Sequence, residues 1–282
     1  MEDSSFRDLH TALGAGCLCM LVAGCRTDAA APDGRAVANA APVQEADCGG
    51  PPPAGAPLPR LESRQLASRQ EGHYRFELQY PHLYADDAKV AQKVNDQLLE
   101  QLTVIQKRFI KEAVEEGRAP DSENARWFEG TCATTYHSKA FVSVACDTME
   151  GPGAHPNLGK LAYSFQVCPE VRQLALADLC RSLPECRKRS IQLVNEDFRV
   201  DPKKETGIQF RDGPMGSRGE PPDMEHPAAT LRTFGVTPTG LRFFFFDELP
   251  HVLQAFGIVD IPIGKLRPVL REDMALLIWG PV

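Results

Sequence analysis

The sequence predicts an α+β domain in which an antiparallel sheet carries a long helix packed on one face, and three patterns point there. Tyr74, Phe76, Leu78 and Tyr80 alternate with Arg75, Glu77 and Gln79, the period of a half-buried strand. Val90, Val94, Leu98, Leu102, Ile105 and Phe109 recur at steps of three or four, the stripe of an amphipathic helix. Thr237-Pro238-Thr239-Gly240 separates two apolar runs, 231–236 and 241–246, as the turn of a hairpin does.

Taken in chain order, Pro81 is expected to end the first strand, because it has no amide hydrogen for a ladder. Asp86 or Asp87 can cap the helix that follows, and Gly117 is a natural stop. Further strands are expected around 133–146, where Val142 and Val144 alternate with Ser143 and Ala145, and over 161–167, where Leu161, Tyr163, Phe165 and Val167 alternate with smaller or polar residues. Leu176-Ala177-Asp178-Leu179 reads as a short turn of helix and 185–195 as a second helix. Residues 202–227 are rich in Gly, Pro and charge without periodicity, so a long loop is expected there, and with it a candidate contact surface. Phe243 to Phe246 place aromatics on both faces, as a central strand covered twice would. Val259, Ile261 and Ile263 make a last strand, which Pro262 confines to an edge.

Composition bounds the function. With 282 residues, 43% of them hydrophobic, the chain can enclose a real core. A formal charge of -7 argues against a nucleic-acid surface, which needs a clustered positive field. The densest basic run, Arg187-Lys188-Arg189, reads as a solvated helix face. Residues 11–24 are apolar and shorter than the ~20 residues of a mature membrane helix, the length of a signal-peptide core. Val22-Ala23-Gly24-Cys25 resembles a bacterial lipobox, whose small residues admit a peptidase before the Cys25 thiol receives a lipid. Glu2 and Asp3 outweigh Arg7, a departure from the usual positive leader. The Ala-, Pro- and Gly-rich stretch that follows buries too little apolar area to offset its ordering entropy and reads as a tether. The expected organisation is a lipoprotein-type signal peptide at 1–25, a tether at 26–70 and the α+β domain at 71–282.

Between the strand patterns sits Gly153-Ala154-His155-Pro156-Asn157. With Tyr80-Pro81-His82-Leu83 before a long helix that contains Asn95, Leu176-Ala177-Asp178-Leu179, Thr237-Pro238-Thr239-Gly240-Leu241, and Gly257 ahead of Ile261-Pro262, it resembles the extracytoplasmic domain of the anti-sigma factor RsiV. The same domain accompanies the peptidoglycan deacetylase PdaC. The resemblance covers about residues 73–270 and departs at Pro152, where that family usually has glycine. It implies an extracytoplasmic module whose partner is a lysozyme-like protein or cell-wall peptidoglycan. Only the outer part of RsiV is matched, so direct control of a sigma factor is not expected.

Nine cysteines in an exported chain imply disulfides. Cys17 and Cys19 leave with the leader and Cys25 carries the lipid. Cys48, Cys132, Cys146, Cys168, Cys180 and Cys186 remain, and their pairing is open, although Cys132 with Cys146 could join neighbouring strands and Cys180 with Cys186 could close a helical loop. The rival for these atoms is a zinc site of Cys132, His137, Cys146 and His155, which lacks the close paired spacing of zinc knuckles, so no metal or cofactor is expected. His155 is held between glycine and proline in a strand-connecting turn, where it can donate to a ligand or only tie the loop. Gly153, His155, Asn157 and His137 are the candidate ligand-binding residues. No acid or nucleophile is placed to complete a triad with them. Gly153 to Lys160 fails as a phosphate loop, because the glycine spacing is wrong and Leu161 stands where Ser or Thr would hold magnesium. Ser217 lacks the first glycine of a nucleophile elbow.

The function expected from the residues is therefore a lipid-anchored binding module of the bacterial cell envelope rather than an enzyme. An envelope hydrolase using His155 and a purely structural lipoprotein are the alternatives.

Overall fold

The computed structural model describes residue 48 and residues 61–84, 87–117, 125–151, 156–200, 208–212, 228–249 and 251–281. The expected signal peptide, Cys25, most of the expected tether, Gly153 and His155 lie outside these residues.

β1 (Leu61–Gln70) and β2 (Tyr74–Leu83) form an antiparallel hairpin in register from Leu61 opposite Leu83 to Gln70 opposite Tyr74. Gly72 in the connecting turn has φ +72°, a left-handed conformation that glycine adopts without a Cβ clash. β1 occupies the last ten residues of the segment expected to be a tether. β2 shows the predicted alternation and runs through Pro81 rather than ending there. Pro81 lies beyond Gln79, the last β2 residue paired on the other side, so its missing donor falls where only β1 is a neighbour.

α1 (Ala88–Glu115) follows, capped by Asp87, whose carboxylate accepts from the amides of Lys89 and Val90. Val94, Leu98, Leu102 and Phe109 of the predicted stripe are buried, and Gly117 stands just past the end with φ +88°. Asn95 is buried on the same face and clamps the end of β2, accepting from the Leu83 amide at 2.9 Å and donating to the Leu83 carbonyl at 3.0 Å. α1 returns the chain to β3 (Arg126–His137), which pairs parallel with β2. The expected all-antiparallel sheet is therefore mixed, because a helix this long carries the chain back to the end from which β2 started.

β3 turns into β4 (Phe141–Gly151) through Ser138, whose hydroxyl accepts from the amides of Ala140 and Phe141. β5 (Asn157–Gln166) and the short β6 (Arg172–Gln173) complete a sheet of order β1-β2-β3-β4-β5-β6. α2 (Leu176–Leu179) and α3 (Leu183–Val200) come next. In the region expected to be a loop lies β7 (Arg211–Asp212), which pairs parallel with β8 (Ala228–Ala229) just beyond it, and Ile208 and Phe210 are buried. Part of that segment is thus core: Asn195 of α3 holds both the amide and the carbonyl of Phe210. Arg187, expected on a solvated face, instead reaches Asp212 and the carbonyls of Ala229 and Thr230.

β9 (Phe234–Thr237), β10 (Gly240–Phe244) and β11 (Ile258–Pro262) form a second, antiparallel sheet with β10 central and β11 at the edge, as Phe243 and Pro262 predicted. Gly240 is required by crowding, since a Cβ there would lie 2.1 Å from the Ile261 carbonyl oxygen. Ile263 opens α4 (Ile263–Leu266) instead of extending β11, and α5 (Glu272–Trp279) closes the order.

Two cores result, one on each face of the large sheet. α1 covers one face through Phe76, Leu78, Leu98, Phe109, Phe128 and Val144. On the other face β9 lies across β3, β4 and β5, where the Val236 amide donates to Ser143 and Thr135 donates to the Val236 carbonyl, both at 3.0 Å. Phe141, Phe243, Phe245, Leu179 and Ile278 fill the space between this sheet and the later helices. Among the described residues three disulfides brace the fold: Cys132 to Cys146 across β3 and β4, Cys180 to Cys186 at the start of α3, and Cys48 to Cys168 after β5.

Candidate functional site

The second sheet covers only part of the large sheet's face, and the rest is an open cleft of about 500 Å³. Register explains its floor. Gln79 of β2, Thr131 of β3, Asp147 of β4 and Lys160 of β5 are successive cross-strand partners, with Gln65 of β1 continuing the row. One step along the strands, Glu77, Glu129, Met149 and Leu158 make a second row on the same face. Apart from Met149 and Leu158, these are the polar members of strands whose alternate residues are buried against α1, such as Phe76, Leu78 and Phe128. Phe246, Ala255 and Ile258, from the segment after β10 and from β11, form the wall.

Lys160 is a confined charge of the cleft. Its side chain is 14% exposed, and its ammonium lies 6.0 Å from the ring centre of Phe244 and 5.8 Å from that of Phe246. It pairs with Asp147, whose side chain is 77% exposed. Burial, joined by repulsion from Arg242, holds the Lys160 amine below its ordinary value despite that pairing. The direction follows from exposure, because a carboxylate facing water is screened and offsets little of the amine's desolvation. Arg242 is itself held by both carboxylate oxygens of Asp260, at 2.7 and 2.8 Å. Glu129 pairs with Arg75, while Glu77 forms no ion pair among the described residues.

Of the residues expected to bind ligand, Asn157 and His137 are among the described ones, and they lie far apart. Asn157 opens β5 opposite Glu150, near one end of β4, whereas His137 pairs with Val142 near the other. The eight residue steps from Val142 to Glu150 span about 26 Å at the rise of a strand. His137 is half-buried, and desolvation lowers its basicity. Cys132 and Cys146 are joined to each other, which removes both sulfurs from the zinc alternative. Among the described residues no group of three or more His, Cys, Asp or Glu side chains could hold a metal ion. No helix of the described residues is long and apolar enough to cross a membrane.

Sequence reasoning missed the cleft, although its signal was present. Glu77 and Gln79 are the polar partners in the strand alternation, and Lys160 enters the sequence reading only as the end of a phosphate loop. It lies instead within β5.

No family model matches this chain, and no curated protein matches it. Solved structures similar to it include two DUF3298 proteins. One is a DUF3298 family protein from Pseudomonas aeruginosa PAO1, 12% identical with a TM-score of 0.46, over 76% of this chain and 96% of that one. The other is a member of the DUF3298 family from Bacteroides fragilis NCTC 9343, 13% identical with a TM-score of 0.46, over 76% of this chain and 95% of that one.

Proposed function

We infer that this chain is an extracytoplasmic binding module of the bacterial cell envelope, held there by a lipid on Cys25, and that its open cleft is the recognition surface for a lysozyme-like protein or cell-wall material. The observation that carries this reading is the cleft itself: a concave floor of amide, hydroxyl and carboxylate side chains on a sheet, bordered by apolar side chains. Strands fix the positions of these groups, so little ordering entropy opposes binding. The three disulfides support the location, because such bonds persist in oxidising compartments. The lipobox and the Pro-rich stretch supply an anchor and a reach.

The test uses the purified full chain against immobilised peptidoglycan fragments and against a lysozyme-type protein. Glu77→Ala combined with Asp147→Ala should weaken capture of one of them about tenfold or more, the scale of one or two lost polar contacts. Equal capture by wild type and variant, or capture of neither probe, overturns the cleft as the recognition surface. Cys25→Ala should release the protein from membranes into the soluble fraction. Unchanged membrane retention removes the lipid anchor.

A further inference from the structure

We propose that the cleft binds an extended, uncharged glycan strand of the cell wall, an inference that rests on the binding-module reading and names its ligand. Three features of the floor lead there. The first is shape: Gln65, Gln79, Thr131, Asp147 and Lys160 lie in one line across five strands. At ~4.8 Å per strand spacing the line is about 19 Å long and runs at right angles to the strands. A line of that length suits a chain of several linked rings better than one compact molecule.

The second is charge. Asp147 is already paired with Lys160, and Glu129 with Arg75. Among the cleft's carboxylates only Glu77 has no internal cation among the described residues, so a polycation would gain one pair there and would have to compete with Lys160 and Arg75 for the others. A hydroxyl-rich chain leaves both pairs intact and uses the paired carboxylates as acceptors, while the Gln65 and Gln79 amides and the Thr131 hydroxyl both donate and accept. The third is the ledge. Met149 and Leu158 face each other across β4 and β5 and stay 40% and 39% exposed, an apolar strip on which the C–H face of a sugar ring can lie. Hydroxyl recognition beside an apolar strip is what a glycan presents to a protein surface.

The probe is the uncharged β-linked tetrasaccharide of N-acetylglucosamine, titrated calorimetrically into the purified full chain with its disulfides intact. Polylysine serves as the cationic rival. The tetrasaccharide should bind more tightly than the disaccharide, with an affinity that does not change between low and physiological salt. Gln79→Ala with Thr131→Ala should weaken it about tenfold or more. Both residues are exposed, so the unfolding midpoint should not move. Leu158→Glu, on the ledge, should give an independent loss. Failure of the tetrasaccharide to bind, or binding indifferent to all three substitutions, overturns the glycan assignment. Salt-sensitive polylysine binding alone also overturns it, yet leaves a cleft-dependent binding module standing. If in addition no peptidoglycan or protein capture depends on the cleft, the module reading fails with it.

Discussion

Lys160 of β5 and Asp147 of β4 share one register position and close an ion pair at the cleft floor, but they stand in different solvents: Lys160 is 14% exposed under two phenyl rings, Asp147 77% exposed. The buried partner bears the desolvation cost and the exposed one is screened, so the pair contributes little to stability. Lys160→Met, which keeps the stem and drops the charge, should leave stability within about 1 kcal/mol of wild type. The amine is held below its ordinary value of 10.5, chiefly by burial and then by Arg242. Below 10.5 the unfolded chain therefore binds more protons than the folded one, and wild-type stability should climb with pH until it passes 10.5. Denaturation curves across that window should show the climb in wild type and lose it in Lys160→Met. Parallel curves would show that Lys160 is not desolvated.

Glu248 makes the opposite case with an acid. It is 6% exposed, and burial raises its affinity for a proton, an effect partly offset by the hydrogen bond from Thr230 and reinforced by neighbouring Asp247. The folded state thus holds the proton above the ordinary value of 4.5, so this group's contribution to stability is complete below 4.5 and is lost as pH rises through the folded value. Glu248→Gln keeps an acceptor for Thr230 and removes the charge. At neutral pH it should be more stable than wild type by on the order of 1 kcal/mol, the ordinary scale of a single substitution. Thermal unfolding of both proteins from acid to neutral pH checks it, and a variant that loses stability would show that the ionised carboxylate is needed.

The bond between Cys48 and Cys168 spans 120 residues, against 6 for Cys180 and Cys186. In the chain-entropy account a closed loop of that length restricts the unfolded state by about 5 kcal/mol, and the short one by about 2 kcal/mol. Replacing Cys48 and Cys168 together by Ala should lower the denaturant midpoint more than replacing Cys180 and Cys186 together. The reverse order would place the stabilisation in native packing instead.

Where the sequence was readable, one residue's neighbours in the chain were also its neighbours in space. The α1 stripe, the β9–β10 hairpin and the edge position of Pro262 are local patterns of that kind. β1 escaped because an edge strand needs few buried positions: only Leu61, Leu66 and Ser68 are half-buried, too sparse to read as alternation. The parallel pairing of β2 with β3 depends on where a 28-residue helix returns the chain, which no local pattern states. The cleft was hidden for the same reason. Each strand showed a polar face, but the row from Gln65 to Lys160 exists only through register across four pairings. The covering of half that face by β9 is likewise a contact between residues about a hundred positions apart, such as Ser143 and Val236.

Arg126 ties the far end of α1 to the sheet and yields the last prediction. Its guanidinium, in a side chain 16% exposed, meets Glu112 and Glu116 of the helix terminus and Glu150 of β4. It also lies 5.4 Å from the ring centre of Phe109. Burial alone would weaken its hold on the proton, but the hydrogen bond and charge of Glu150, with Glu116 and Glu112, more than offset it. Arg126→Met leaves three carboxylates around a vacated cation, two of them half-buried, so both repulsion and desolvation oppose folding. The cost should be about 3 kcal/mol at neutral pH, the range seen when one partner of a buried pair is removed. Adding Glu150→Gln to the variant should recover part of the loss at neutral pH. No recovery in the double variant would assign Arg126 to packing on Phe109 instead.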